Sequence, residues 1–174
     1  MSTKLQIISQ VKEYISHNIP LSVGDKILVG LSGGADSVAL LSILKELGYC
    51  CFAAHCHFAL RGEESDRDRN FAKHIATKLE VPFIEVQFDT LKYAAENKLS
   101  IEMACRELRY EWFEKQRIAL GCRYLAVAHH RDDSVETVLI NLIRGTGISG
   151  LTGISSLNGT VIRPILSLSR NNVE

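Results

Sequence analysis

The chain has 174 residues, 46% of them hydrophobic and 23% charged, with 20 Lys plus Arg balanced by 20 Asp plus Glu. Chains of about 100 to 200 residues usually hold one core, and a domain near 150 residues buries roughly two-thirds of its unfolded surface, which argues against disorder. A formal net charge of zero argues against a general nucleic-acid binder, whose affinity comes largely from Lys and Arg neutralising phosphates; any such contact must be local or lie outside this chain.

Met1 to Gln10 mixes polar and apolar residues and lacks the apolar run and small-residue end of a signal peptide. Leu5, Ile8, Val11 and Ile15 recur at helical spacing until Asn18, Ile19 and Pro20, so residues 1–24 read as an N-terminal helix and linker ahead of a domain over 25–174. Ile27 to Leu31 is a short apolar run without polar alternation, the pattern of a parallel strand covered on both faces. Ser32 to Ser37 (SGGADS) breaks it. Val38, Leu40, Leu41, Leu44 and Leu47 then restore helical spacing up to Gly48. The unit repeats in outline. Tyr49 to His57 reads as a strand, Arg61 to Arg69 as a solvated loop entering a helix that runs to Leu79, and Pro82 to Phe88 as a third strand. Helical pieces over Thr90 to Asn97 and Ile101 to Leu120, a strand over Arg123 to His129 and a helix over Ser134 to Arg144 follow. This alternation predicts an α/β fold, a Rossmann-like doubly wound sheet of about five mainly parallel strands with helices on both faces. Ligands of such sheets bind beyond the carboxyl ends of the strands, so the turns after Leu31, His57 and His129 are expected to carry the function.

Five cysteines, Cys50, Cys51, Cys56, Cys105 and Cys122, make an odd number with no CxxC pair. A reducing, cytoplasmic compartment is expected, with no support for a structural zinc or a thiol-ligated cluster. No apolar run approaches the roughly 18 residues of a membrane helix, so no membrane association is expected.

Ser32, Gly33, Gly34, Ala35, Asp36 and Ser37 lie between a buried strand and a helix amino terminus, where unpaired amides and the helix dipole attract an anion. Glycines let a phosphate approach the backbone, and Ser32 and Ser37 add hydroxyl donors. The segment is neither a Walker A loop nor GxGxxG. On these residues alone, a phosphate site and a helix cap formed by Asp36 or Ser37 weigh about evenly.

An apolar strand leading into SGGxDS resembles the pyrophosphate loop of the PP-loop ATP pyrophosphatases, which cleave ATP between its α and β phosphates and adenylate a carbonyl-type oxygen. The resemblance implies that the loop holds pyrophosphate and that Asp36 helps to bind Mg²⁺. A lone carboxylate beside a triphosphate needs such an ion between them. Ala128 to Ile154 (AHHRDDSVETVLINLIRGTGISGLTGI), with Arg163, Pro164, Ile165 and Leu166, is similar to the signature of the tRNA(Ile)-lysidine synthetase family. Glu102, Arg106, Arg109 and Tyr110 fit that family's E, R, RY pattern. The resemblance covers nearly the whole chain from Lys26. It implies an ATP-dependent ligase that adenylates C2 of the wobble cytidine of tRNA(Ile) with a CAU anticodon and couples free L-lysine there, releasing AMP and pyrophosphate. Further tRNA-gripping domains are expected beyond this chain, so tRNA binding by these residues alone is expected to be weak. Oligomeric state is left open, a homodimer included.

Without the family, the second block still has chemistry. His129 ends a strand, and Asp132, Asp133 and Glu136 open a helix, with Asp133 and Glu136 on one face. Three acids there can equally complement the helix dipole, and His129 can be a satisfied strand-end histidine. Free lysine has a side-chain pKa of about 10.4, so neutralising it near pH 7 costs roughly 4 to 5 kcal/mol. By similarity to the family, Asp133 and Glu136 position lysine and the activated base, while Arg109 and His129 stabilise phosphate charge or the developing adduct. His55, His57 and Arg61 resemble the family's histidine-rich segment, but Phe58 and Ala59 stand where a further histidine is usual, and strand-end structural histidines are the favoured reading. His55, Arg61, Asp132 and Arg144 form an additional candidate set. The rivals are a PP-loop tRNA thiolase, an amidating ATP pyrophosphatase and, from another class, a non-catalytic ATP-binding module.

Overall fold

The computed structural model describes residues 3–145 and 152–173; residues 146–151, which fall within the second block, lie outside the described residues. In chain order the elements are α1 (Thr3–Asn18), β1 (Lys26–Gly30), α2 (Ala35–Glu46), β2 (Cys50–His57), α3 (Glu63–Lys78), β3 (Phe83–Gln87), α4 (Thr90–Asn97), α5 (Ile101–Ala119), β4 (Tyr124–Ala126), α6 (Arg131–Ile143), β5 (Leu157–Asn158), β6 (Val161–Ile162) and α7 (Arg170–Val173). They build one six-stranded sheet of order β3-β2-β1-β4-β6-β5, parallel throughout except where β5 meets β6.

The unbroken apolar run of β1 is explained by cover on both faces. Ile27 and Val29 join a core with Val11, Ile15, Leu40, Leu44, Ala72 and Ala76, from α1, α2 and α3. Leu28, between them and pointing the other way, packs with Phe113 of α5 and with Leu125. The sheet is therefore doubly wound, as the strand and helix alternation implies. The helix preceding residue 25 contributes Val11 and Ile15 to the main core, and Gln10 Nε2 donates to the Ser167 carbonyl at 3.1 Å.

Two local differences from the sequence expectation matter to the site. The fourth strand stops at Ala126 instead of continuing to His129, because its partner β6 is two residues long and the last ladder bond is Val127 N–H to the Ile162 carbonyl at 3.0 Å. The following helix starts at Arg131, three residues earlier than the apolar spacing suggests, because His130 caps it. The β5–β6 hairpin was not anticipated. Its two-residue turn starts at Gly159, whose φ of +59° suits the first central position of a hairpin turn.

Burial pushes the Cys51 and Cys56 thiols up to about 12, Cys51 with a further upward contribution from neighbouring Cys50. The thiolate is the nucleophile, so both are inert near neutrality, whereas Cys50 is exposed. Mass mapping after brief iodoacetamide treatment of the native protein is expected to find Cys50 labelled, with Cys51 and Cys56 labelled only after denaturation. Native labelling of Cys56 at the rate of Cys50 contradicts this packing.

Candidate nucleotide-binding site

Strand order reverses between β1 and β4, and at their carboxyl ends lies a cleft of about 560 Å³. Crevices at such switch points are where doubly wound sheets take their ligands. The turn after β1 supplies Ser32, Gly34, Asp36 and Ser37; β2 and its exit supply His55, His57 and Arg61; α5 supplies Arg106, Arg109 and Tyr110; the exit of β4 supplies His129.

The turn is held from within. Ser37 Oγ donates to the Gly34 carbonyl at 2.9 Å and accepts from Ser32 N–H at 3.1 Å, and the Ser32 and Ser37 hydroxyls lie 3.1 Å apart. Gly34 is the N-cap of α2 and no side chain caps the helix. The alternative in which Asp36 or Ser37 serves as the cap is thereby removed, and the first amides of α2 stand available to an anion. Gly33, at φ +97°, passes so close to α3 that a Cβ there would lie 3.0 Å from the Asp68 carbonyl oxygen. Neighbouring Ala35 is the first residue of α2.

On the β2 side, His55 Nδ1 lies 2.8 Å from the Leu31 carbonyl, tying the strand to the start of the turn; burial lowers its pKa. His57 Nε2 is 3.2 Å from Asp66 Oδ1, while its buried Nδ1 has no partner among the described residues. The exposed Arg61 reaches Glu64 at 3.5 Å. On α5, the Arg109 guanidinium lies 5.2 Å from the Phe58 ring centre and that of Arg106 5.2 Å from the Tyr110 ring centre. These contacts hold two cations over aromatic rings at the cleft, and a guanidinium has N–H donors to offer oxygen acceptors. His129 Nδ1 accepts from Arg163 Nε at 3.1 Å; burial first, and then the Arg163 charge, lower its pKa.

The α6 residues are placed differently. Asp133 Oδ2 accepts from His130 N–H at 2.8 Å, and His130 Nδ1 accepts from Asp133 N–H at 3.3 Å, a reciprocal capping box. Asp132 accepts from Arg170 N–H at 2.8 Å, Glu136 lies 4.0 Å from Arg170 Nη2, and Arg144 is exposed at the far end of the helix. Asp132, Asp133, Glu136 and Arg144 thus do not line the cleft that gathers the other candidates. What joins the groups is a residue that sequence reasoning passed over. His130 is 1% exposed, with Nδ1 3.3 Å from Asp133 Oδ2 and Nε2 3.9 Å from Asp36 Oδ2. Its Nδ1 is taken by the helix cap, which leaves Nε2 as the ring nitrogen facing Asp36. The signal was a second histidine three residues before Asp133, hidden because Ser, Thr, Asp and Asn are the usual N-caps.

Among the described residues no three His, Cys, Asp or Glu side chains converge on a metal position. Mg²⁺ needs no such cage, since it takes one or two carboxylates and completes its octahedron with phosphate oxygens and water. Asp36, 42% exposed at the mouth of the turn and without a close hydrogen bond, fits that part.

A doubly wound sheet with an uncapped glycine turn at its switch point defines a nucleotide-binding α/β domain. A model of the PP-loop domain, from a family of ATP-binding domains, matches residues 3–174, and the chain belongs to that family. It is 59% identical over 167 residues, 96% of its length, to the tRNA(Ile)-lysidine synthase of Parabacteroides distasonis, of which it covers 38%. It is 53% identical, again over 96% of its length, to the tRNA(Ile)-lysidine synthase of Bacteroides thetaiotaomicron, of which it covers 39%. The chain therefore spans about two-fifths of the curated relatives it matches. Among solved structures, the U34-tRNA thiolase NcsA from Methanococcus maripaludis superposes with a TM-score of 0.77 at 21% identity, over 98% of this chain and 63% of that one. The NH3-dependent NAD synthetase from Campylobacter jejuni gives 0.66 at 16%, over 99% and 71%. At these identities the structural likenesses establish the fold. No helix among the described residues is long and apolar enough to cross a membrane.

Proposed function

We propose that this chain is the adenylating domain of a cytoplasmic ATP-dependent ligase that converts the wobble cytidine of tRNA(Ile) with a CAU anticodon to lysidine. The observation that carries the reading is 59% identity, over 96% of the chain, to a protein named tRNA(Ile)-lysidine synthase. The cleft chemistry is consistent with it. The cytidine O2 attacks the α-phosphorus of ATP, the bond to the β-phosphate oxygen breaks and pyrophosphate leaves. Lysine Nζ then attacks C2, the C2–O2 bond breaks, AMP departs with that oxygen, and the Nζ proton passes to an acceptor.

The amides that residues 32–37 leave free at the start of α2 hold the pyrophosphate, with Ser32 and Ser37 bracing the turn. Asp36 would hold Mg²⁺, which when bound offsets the phosphate charge. Arg109 stabilises the transferring phosphate from its perch on Phe58, and Asp133 and Glu136 set an acidic edge for the lysine ammonium beside the buried His130. Zero net charge makes tRNA binding by these residues alone weak, and a homodimer would double the contact surface.

Labelled ATP, Mg²⁺, lysine and tRNA test the reading together. Pyrophosphate release that needs a CAU-anticodon tRNA, with release of AMP and repeated turnover needing lysine as well, is the expected result. Release driven by ammonia without tRNA points to amidation, dependence on a sulfur donor points to thiolation, and ATP binding without turnover points to a binding module; each outcome overturns the proposal.

A further inference from the structure

Arg163 follows β6 and reaches inward to the rear of His129. Its Nη1 donates to the Ser155 carbonyl at 2.7 Å and its Nε donates to His129 Nδ1 at 3.1 Å, so the guanidinium is anchored at two points. A guanidinium has only donors and stays charged at any pH the protein survives. The nitrogen facing it must therefore offer a lone pair. A neutral imidazole with a lone pair on Nδ1 carries its hydrogen on Nε2. The other two forms both fail here. A tautomer with hydrogen on Nδ1 sets N–H against N–H, and an imidazolium does the same while adding a second positive charge.

We infer that Arg163 is a positioning residue that locks His129 as the neutral tautomer with hydrogen on Nε2, so that the cleft receives a hydrogen-bond donor and neither a base nor a cation. The surrounding charges agree in balance. Burial, Arg163, Arg106 of α5 and His130 oppose a charged ring, and Asp133 of α6 favours it. The use of this donor rests on the reaction proposed above. There Nε2–H suits an oxygen of the adenylyl phosphate, whose negative charge it can take up without giving away its proton. The same ring cannot accept the proton lost by lysine Nζ. That proton must leave by another acceptor.

The tautomer itself is measurable in the free protein, with no ATP or tRNA present. Heteronuclear NMR correlating the ring nitrogens with the ring carbon-bound protons distinguishes both tautomers and the imidazolium, and His129→Gln assigns the signals. The expected wild-type spectrum near neutrality is the Nε2–H form, with a titration midpoint below that of an ordinary histidine. Arg163→Met is expected to give mixed tautomers and a raised midpoint, and Arg163→Lys, which keeps a charged donor, to return the single form. An Nδ1–H form or an imidazolium in the wild-type protein overturns the inference, even if Arg163→Met does not fold. So does an Arg163→Met spectrum like the wild type. Failure to form lysidine with the Nε2–H signature intact strikes only the functional reading.

Discussion

Asp36→Asn is expected to leave the fold in place and to cut pyrophosphate release by about 10²- to 10³-fold, the loss typical of removing one group that stabilises developing charge. Stability should hardly change, because the side chain holds nothing. It is 42% exposed, its nearest partner is His130 Nε2 at 3.9 Å, and α2 has no side-chain cap to lose. The rate should fall because Asp36 is the one carboxylate in the glycine turn and the member of that turn able to hold a divalent ion against the phosphates. Two measurements separate these statements. A thermal melt should stay within a few degrees of wild type, and ATP affinity should lose its dependence on added Mg²⁺. An asparagine variant that keeps its rate, or one that loses it only by unfolding, refutes the assignment.

Gly33→Ala is expected to damage both stability and nucleotide binding. At φ +97° an L side chain is strained, at a cost of about 1–3 kcal/mol, and the new Cβ would lie 3.0 Å from the backbone oxygen of Asp68, which cannot swing aside as a side chain can. Relief requires the turn or the first half of α3 to move, and either movement displaces the amides proposed to hold the phosphates. For a domain of this size each kcal/mol lowers Tm by roughly 2–4 °C. A fall of several degrees and at least a tenfold loss of ATP affinity are expected by melting and calorimetry. Gly34→Ala is the control. Gly34 has φ −75°, and its added Cβ would meet only Ser32 Oγ at 3.5 Å, so its melting temperature should stay near wild type. Equal melting temperatures for the Gly33 and Gly34 variants contradict the account of the turn.

Much of this organisation was legible along the chain because it is local. Ile27 to Leu31 announces a doubly covered strand, and both faces of β1 are filled as that pattern requires. Thr90 to Asn97 reads as a helix and is one, its first turn closed by Asp89 accepting from Lys92 N–H at 3.2 Å. The SGGADS turn reads locally as either a phosphate site or a capped helix start, and the structure, with no side-chain cap on α2, removes the second.

Other features lie beyond local pattern. The early end of β4 depends on the length of β6, which arrives some 35 residues later along the chain. Asp133 reads as one of three acids at a helix start, yet only the cap places His130 between it and Asp36. The proton on His129 is set by Arg163, 34 positions away in sequence. The sequence by itself determined the alternation of strand and helix and the glycine turn, because periodicity, turn chemistry and helix ends act within a few residues, and its motifs carried the resemblance to the family. Only the tertiary structure decided which histidine stands between Asp36 and Asp133, which acids lie outside the lining of the cleft and which way a ring presents its proton. Those are properties of side chains brought together across the sheet, and no local preference encodes the partner each will meet.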